Sequence, residues 1–318
     1  MKKSSFPRSE SSAVKFFEDG FLMPKRSRKT EKISIGVIGG SGLYEMEGLT
    51  SIKAMKITTP FGKPSDDYMV GTLFGQRVAF LPRHGRGHRI MPTDINYRAN
   101  IYGMKKLGVE RIISVSAVGS MKEEIRPGDI VLPDQFYDHT KHRRSTFFGN
   151  GVVAHVGMAD PVCAGLGSIL FAAGRTVGAT VHVGGTYLCM EGPQFSSRAE
   201  SLVYRKWDVD VIGMTNATEA KLAREAELCY STIALATDYD CWHHSEEAVT
   251  VEAVLAVMKK NIETSKAMIR EAVRMLPDTR ACACGEALKN TIMTPERLIP
   301  AKTKKDLALI IGKYLKKK

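Results

Sequence analysis

Two carboxylates stand two positions apart in Thr237-Asp238-Tyr239-Asp240, directly after an apolar run. In extended backbone, side chains at that spacing point the same way. Neighbouring carboxylates oppose double ionisation, so one can keep a proton while the other stays charged. Such a pair can protonate a nitrogen base as it leaves and accept a hydrogen bond from an amino group beside it. A helix cap with a solvated acidic pair would be spelled the same way. A calcium loop would not, because no further acids follow at the required spacing.

Four other segments carry anion or ring chemistry. Gly39-Gly40-Ser41-Gly42 offers close backbone approach and a hydroxyl donor. It departs from a dinucleotide loop, which needs G-x-G-x-x-G and a later acid at a second strand end; the position three after Gly42 is Glu45. Arg83-His84 is followed by Arg86, His88 and Arg89, a strongly cationic loop. Arg83 can grip two phosphate oxygens, and His84 can donate to phosphate or to a sugar hydroxyl. Ser116-Ala117 and Thr215 supply hydroxyl or backbone donors, although each alone is an ordinary cap or turn former. Glu191-Gly192-Pro193-Gln194-Phe195-Ser196-Ser197-Arg198 puts an acid, an aromatic and hydroxyls in one turn. Phe195 there is either a stacking face for a base or a core residue beside a capped helix.

The elements that must position these groups alternate between short β-rich runs and helical stretches, an α/β pattern. Strands are expected at Ile33–Ile38, Gln76–Leu81, Arg111–Val115, Asp129–Leu132, Thr180–Cys189, Asp210–Gly213 and Cys229–Ala236. Helices are expected at Asp94–Leu107 (Thr93 as cap, Gly108 as stop), Cys163–Thr176, Ala217–Glu227 and Val251–Leu276. The last keeps Val251, Val254, Leu255, Met258, Ile262, Ile269, Val273 and Leu276 on one face and stops at Pro277. Most strands run into polar or glycine-rich clusters, and open α/β sheets bind ligands beyond the carboxyl ends of their strands.

Composition bounds the remaining classes. The chain has 318 residues, 43% hydrophobic and 25% charged, an ordinary globular balance. Much of its net charge of +12 lies at the two ends, which argues against nucleic-acid binding. No apolar run reaches the ~20 residues of a membrane helix. Residues 1–32 read as a basic, disordered extension without a secretory signal, and 33–318 as one catalytic domain. Of six cysteines, Cys282 and Cys284 form a C-x-C that lacks the second pair of a zinc site. Cys163, Cys189, Cys229 and Cys241 read as buried free thiols. Together they suit a reducing, cytoplasmic compartment.

Taken together, IGVIGGSGLY (35–44), TPFGKPSD (59–66), RHGRGH (83–88), NYRANI (96–101), GSMKEEIRPGDIVLPDQF (119–136), EGPQFSSRAES (191–201), GMTN (213–216) and ATDYDCW (236–242) resemble the 5′-methylthioadenosine phosphorylases of the trimeric purine nucleoside phosphorylase family. The resemblance runs from about residue 33 to about residue 275. It implies one mixed central β-sheet flanked by helices and phosphorolysis of methylthioadenosine to adenine and a sugar phosphate. It also implies no cofactor beyond phosphate as co-substrate, and a homotrimer or hexamer with a shared active site. By the same resemblance, Ser41, Arg83, His84, Ser116, Ala117 and Thr215 hold phosphate, with His84 and Thr215 near the ribose. Met214 lies beneath the sugar, and Phe195 and Ser196 line the base pocket. Asp238 meets N7 and Asp240 the 6-amino group. Val251 and Val254 wall the methylthio group, and His155 is lent by a neighbouring subunit. Ser41 and Ser116 stand where the family often has Thr, and Asn216-Ala217-Thr218-Glu219 departs from its usual Val-Pro-Glu continuation. The rivals are a phosphorylase of 6-oxopurine nucleosides, a nucleosidase using water, a basic nucleic-acid-binding protein and a catalytically dead scaffold.

Overall fold

A computed structural model describes residues 32–243 and 251–315, without the side chains of Ser41 and of residues 251–256. Its strands are β1 (Ile33–Gly39), β2 (Thr50–Met55), β3 (Tyr68–Leu73), β4 (Gln76–Pro82), β5 (Arg111–Ser120), β6 (Ile130–Leu132), β7 (Gln135–His139), β8 (Val181–Val183), β9 (Thr186–Met190), β10 (Val211–Gly213) and β11 (Cys229–Tyr239). The main helices are α1 (Tyr97–Lys106), α2 (Ala164–Thr176), α3 (Arg198–Lys206), α4 (Asn216–Glu225) and α5 (Val251–Met275).

All eleven strands join one mixed sheet in the order β2-β3-β4-β1-β5-β10-β9-β7, with β11 branching from β5 and leading through β6 to β8. Strands β4, β1, β5 and β11 are parallel neighbours at its centre. They are buried on both faces, so they read as continuous apolar runs. Successive side chains serve different layers. Ile38, Leu81 and Ile112 pack with α1 and α4, whereas Val37, Phe80 and Ile113 pack with α2 and α5. This is the mixed α/β sheet flanked by helices that the sequence implies.

The local differences have identifiable causes. The expected helix from Asp94 is a 3-10 turn at Pro92–Asp94, then α1, whose cap is Asn96, not Thr93; the Asn96 side chain accepts from Ala99 N at 3.1 Å. The single strand expected over 180–189 breaks into β8 and β9 at Gly184-Gly185, both at positive φ. There Gly185 N–H turns to the Asp134 carboxylate at 3.1 Å. β5 and β11 extend past Val115 and Ala236, because their polar ends keep pairing, Leu235 with Ala117 and Asp238 with Gly119. Strands β2, β3 and β7 and helix α3 lie outside the elements expected from the sequence.

The cysteine expectation needs correction. Cys163 caps α2, Cys229 opens β11, and both meet Cys282 and Cys284, the four sulfurs lying within 4.8 Å of one another. Elements far apart in sequence supply the partners that C-x-C lacked. Residues 1–31, nearly all of the expected extension, lie outside the described residues. Among the described residues no helix is long and apolar enough to cross a membrane.

Candidate active site

The loops singled out in the sequence meet along one edge because the strands that carry them are parallel. Gly39 is in register with Pro82, and Arg83 N–H donates to Gly39 O at 2.9 Å, which locks the glycine loop to the cationic loop. β5 follows on the other side of β1, and β11 follows β5. β10 runs antiparallel to β5 with Ile212 opposite Gly119, so the chain leaving it at Met214-Thr215 travels back along β5 toward Ser116. Within the otherwise buried run Arg111–Val118, Ala117 alone is exposed, marking where the strand opens to the surface.

Asp238 and Asp240 both reach this edge. A register shift between Ala236 and Asp238 inserts Thr237 as an extra residue. Thr237 Oγ1 donates to Asp238 Oδ2 at 2.7 Å and to Val118 O at 3.2 Å. A Cβ placed on Gly119 would stand 3.3 Å from Asp238 Oδ1 and 3.4 Å from Asp240 Cβ, so both side chains lean over the same glycine. Burial raises the Asp238 pKa above its ordinary value of 3.8. The Thr237 hydroxyl opposes this and the Asp240 charge adds to it. Asp240 is 9% exposed, and its Oδ2 is buried without a hydrogen-bond partner among the described residues. A buried carboxylate oxygen left unpaired is costly, so it marks a place where a donor belongs.

Arg83 departs from expectation. It is 3% exposed and turns inward, so that its two-pronged partner is a carboxylate of the protein. Nε donates to Glu219 Oε1 at 2.5 Å and Nη2 to Glu219 Oε2 at 3.1 Å. Nη2 also reaches Ser114 Oγ at 2.6 Å, and Nη1 reaches Val115 O at 2.9 Å. One Nη1 N–H is left over from the guanidinium's five donors among the described residues. Burial opposes the Arg83 charge, but Glu219 overrides it and holds the pKa above the ordinary range. Ser114 and Tyr230 hydroxyls also donate to Glu219 Oε2, each at 2.9 Å. The network reaches Thr215 through Asn216, whose Nδ2 donates to Ser114 Oγ at 3.4 Å and whose Oδ1 accepts from Thr215 Oγ1 at 2.9 Å. Arg83 therefore ties β4 to the start of α4. Thr215 is the N-cap residue of α4, yet its hydroxyl does not cap the helix. The first-turn N–H groups keep the partial positive charge of a helix N-terminus.

His84 is held neutral. Burial, then the Arg83 charge, lowers its pKa to about 4. Nδ1 lies 2.8 Å from Ile90 O. A carbonyl can only accept, so Nδ1 carries the proton and Nε2 presents a lone pair. This reverses the expected polarity at Nε2, which is left able to accept a hydrogen bond. Ser116 is buried, with Oγ 3.2 Å from Ala117 O and 3.4 Å from Tyr187 Oη. For Ser41 only the backbone is described; it opens a 3-10 turn after Gly40.

The remaining wall comes from the turn after β9. Cys241 Sγ donates to Ser196 O at 3.3 Å, which brings Ser196 beside Asp240. Phe195 projects from this turn at 83% exposure, so it is not a core residue. A Cβ on Gly192 would lie 2.6 Å from Met214 Sδ, so the turn seats directly on Met214. The sequence reading missed what fixes this contact. The Arg143 side chain, fully buried, donates to Glu191 Oε1 at 3.1 Å, to Glu191 O at 2.5 Å, and to Met214 O. Glu191 in turn takes the Thr93 hydroxyl and the Lys141 and His142 N–H groups. Burial opposes ionisation there, but these donors outweigh it and lower the Glu191 pKa to about 2. Arg143 sits in the run His142-Arg143-Arg144, which reads as solvated charge. Only its burial reveals it. Glu219 had a fainter signal, an acid one turn after Thr215, whereas Gly119 is found only through its register with Asp238.

His155 is exposed and away from these loops in sequence; its N–H donates to Thr291 O at 3.0 Å in the C-terminal segment. The backbones of Val251 and Val254 open α5, and their side chains lie outside the described residues. Among the described residues the candidate metal-ligating cluster is the cysteine group beside α2, made of none of the loop residues gathered here.

Comparison with known proteins bears on the family and the fold. The sequence profile of the Phosphorylase superfamily matches residues 34–274. An S-methyl-5′-thioadenosine phosphorylase of Geobacter sulfurreducens is 64% identical over 282 residues, which cover 88% of this chain and 99% of that protein. One of Koribacter versatilis is 60% identical, covering 88% and 96%. Among solved structures, a methylthioadenosine phosphorylase from an Antarctic soil metagenomic library superposes with a TM-score of 0.85 at 48% identity, covering 88% of this chain and 99% of that one. The methylthioadenosine phosphorylase of Schistosoma mansoni in complex with adenine gives a TM-score of 0.76 at 36% identity, covering 84% and 100%. With its central parallel strands, its convergent donor loops and these relatives in agreement, the chain belongs to the phosphorylase superfamily.

Proposed function

We propose that this protein is an S-methyl-5′-thioadenosine phosphorylase, a pentosyltransferase that converts methylthioadenosine and phosphate to adenine and 5-methylthioribose 1-phosphate. The observation that carries the reading is the carboxylate pair. Asp240 offers a buried oxygen in need of a donor, which the 6-amino group of adenine supplies. Beside it, Asp238 has the raised pKa of an acid that can protonate N7. A 6-oxo group in the same place would set oxygen against oxygen, which disfavours inosine-type substrates.

Phosphate belongs at the strand ends, among the Ser41 loop, Arg83, His84, Ser116, the Ala117 backbone and Thr215. Its charge faces the α4 N-terminus and the one remaining Arg83 Nη1 N–H. The neutral His84 Nε2 accepts from a ribose hydroxyl or from a protonated phosphate oxygen. Met214 supports the sugar, and Phe195 and Ser196 border the base. In this arrangement phosphate attacks the anomeric carbon from one face while adenine departs from the other. The positive charge building on the ring is stabilised by the phosphate itself, and fixed donors supply the larger share of catalysis. The chemistry calls on no organic cofactor.

We further propose one catalytic domain over residues 33–318 and a homotrimer, or a pair of trimers, in which exposed His155 completes a neighbour's pocket beside Val251 and Val254. A cytoplasmic location suits such a metabolic enzyme. The test is product analysis with methylthioadenosine, adenosine and inosine, each with and without phosphate. Adenine release from methylthioadenosine that requires phosphate is expected. Release without phosphate, or preference for inosine, would overturn the reading.

A further inference from the structure

Four sulfurs converge at the start of β11, away from the carboxylate pair at its other end, and the proposed reaction uses none of them. Cys163 is the N-cap of α2, Cys229 is the first residue of β11, and Cys282 and Cys284 flank Ala283 beyond α5. All four sulfurs lie within 4.8 Å of one another, and Cys229 Sγ is 3.3 Å from Cys282 Sγ. Three of the four residues are buried, and all six cysteines of the chain are free thiols. A tetrahedral zinc with bonds of about 2.3 Å places its sulfur ligands about 3.8 Å apart, so this spread needs only small side-chain adjustments.

A cationic side chain stands beside the four sulfurs. The Arg280 guanidinium faces Cys229 and Cys282. It packs over the turn at Gly285, where a Cβ would stand 2.8 Å from Arg280 Nη2. Four thiolates around a divalent cation carry two net negative charges, and an adjacent guanidinium offsets part of that charge. The ligands also join three separate elements, α2, β11 and the segment after α5, so a bound ion would clamp the C-terminal part of the chain to the sheet.

We propose that Cys163, Cys229, Cys282 and Cys284 form a structural site for a soft divalent metal ion, zinc in the first instance. All four protein ligands are supplied, so no coordination position is left for substrate. Binding displaces the thiol protons to solvent, with no change in oxidation state.

The full chain, purified under reducing conditions from zinc-supplemented cells, should hold about one zinc per chain by elemental mass spectrometry. Stripping with a strong chelator should lower the melting temperature, and zinc, but not magnesium, should restore it. Cobalt(II) should give thiolate-to-metal charge-transfer absorption with tetrahedral ligand-field bands. Cys282→Ser with Cys284→Ser should reduce the metal content at least tenfold, while Cys189→Ser, outside the cluster, should not. Should the double variant fail to fold, chelation and zinc restoration of the wild-type chain decide the matter. Absence of retained zinc together with no thermal response to added zinc would overturn the proposal. So would an intact mass of the freshly isolated protein showing the loss of two hydrogens per cysteine pair, which would assign the cluster to disulfides. None of these readouts depends on nucleoside turnover.

Discussion

Replacing Asp238 with asparagine isolates the proton from the shape of the site. The amide would keep the contact with Thr237 Oγ1, which now lies 2.7 Å from Asp238 Oδ2, and would still fit over Gly119. It can donate a hydrogen bond to N7 but cannot transfer a proton. A general acid is worth roughly 10²–10⁴-fold, or about 2.7–5.4 kcal/mol. The retained hydrogen bond returns about 1 kcal/mol. The net loss should therefore be about 2–4 kcal/mol, roughly thirty- to a thousand-fold in kcat. The assay is adenine release from methylthioadenosine at saturating phosphate, run beside a nucleoside whose base is already methylated at N7. That base leaves without protonation, so Asp238→Asn should slow it less than about fivefold. Equal losses on both substrates, or wild-type turnover on methylthioadenosine, would refute the assignment of Asp238 as the acid.

The same variant tests the electrostatics without substrate. A carboxyl group whose pKa is raised by folding stabilises the protein fully at low pH and loses that contribution as pH rises through its folded pKa. Asp238→Asn should therefore melt above the wild type at pH 8, with the gap closing toward pH 4; a gap independent of pH would count against the burial argument. Glu219→Gln leaves the Arg83 charge buried with a weaker partner and should cost about 3–5 kcal/mol in urea unfolding. The double change Arg83→Met with Glu219→Leu should recover part of that cost, and a loss below about 1 kcal/mol for Glu219→Gln would mean the pair is dispensable. Gly119→Ala places a methyl 3.1 Å from Ile212 Cγ2 and 3.3 Å from Asp238 Oδ1. It should cost about 1–3 kcal/mol and displace the carboxylate pair, raising KM for methylthioadenosine at least about tenfold; an unchanged KM would separate Gly119 from the site.

The sequence alone determined the chemistry-bearing segments and the class of fold. Apolar runs ending in Gly39–Gly42, Arg83-His84 and Thr237–Asp240 declare strands with polar or glycine-rich carboxyl ends, because both signals are local. Run length against polarity is local too, so β1, β4, α2 and α5 were legible to within a residue or two. What a side chain faces is not local. Tertiary structure alone decided that Arg83 spends its fork on Glu219, since the two are 136 residues apart and meet only when α4 packs against β5 and β11. It decided that His84 presents a lone pair, through the single carbonyl of Ile90. It turned Arg143 from apparent surface charge into the buried tie between Glu191 and Met214. It also gathered four cysteines that seemed unrelated in sequence. In each case burial removes water as the alternative partner, and only the packed fold supplies another.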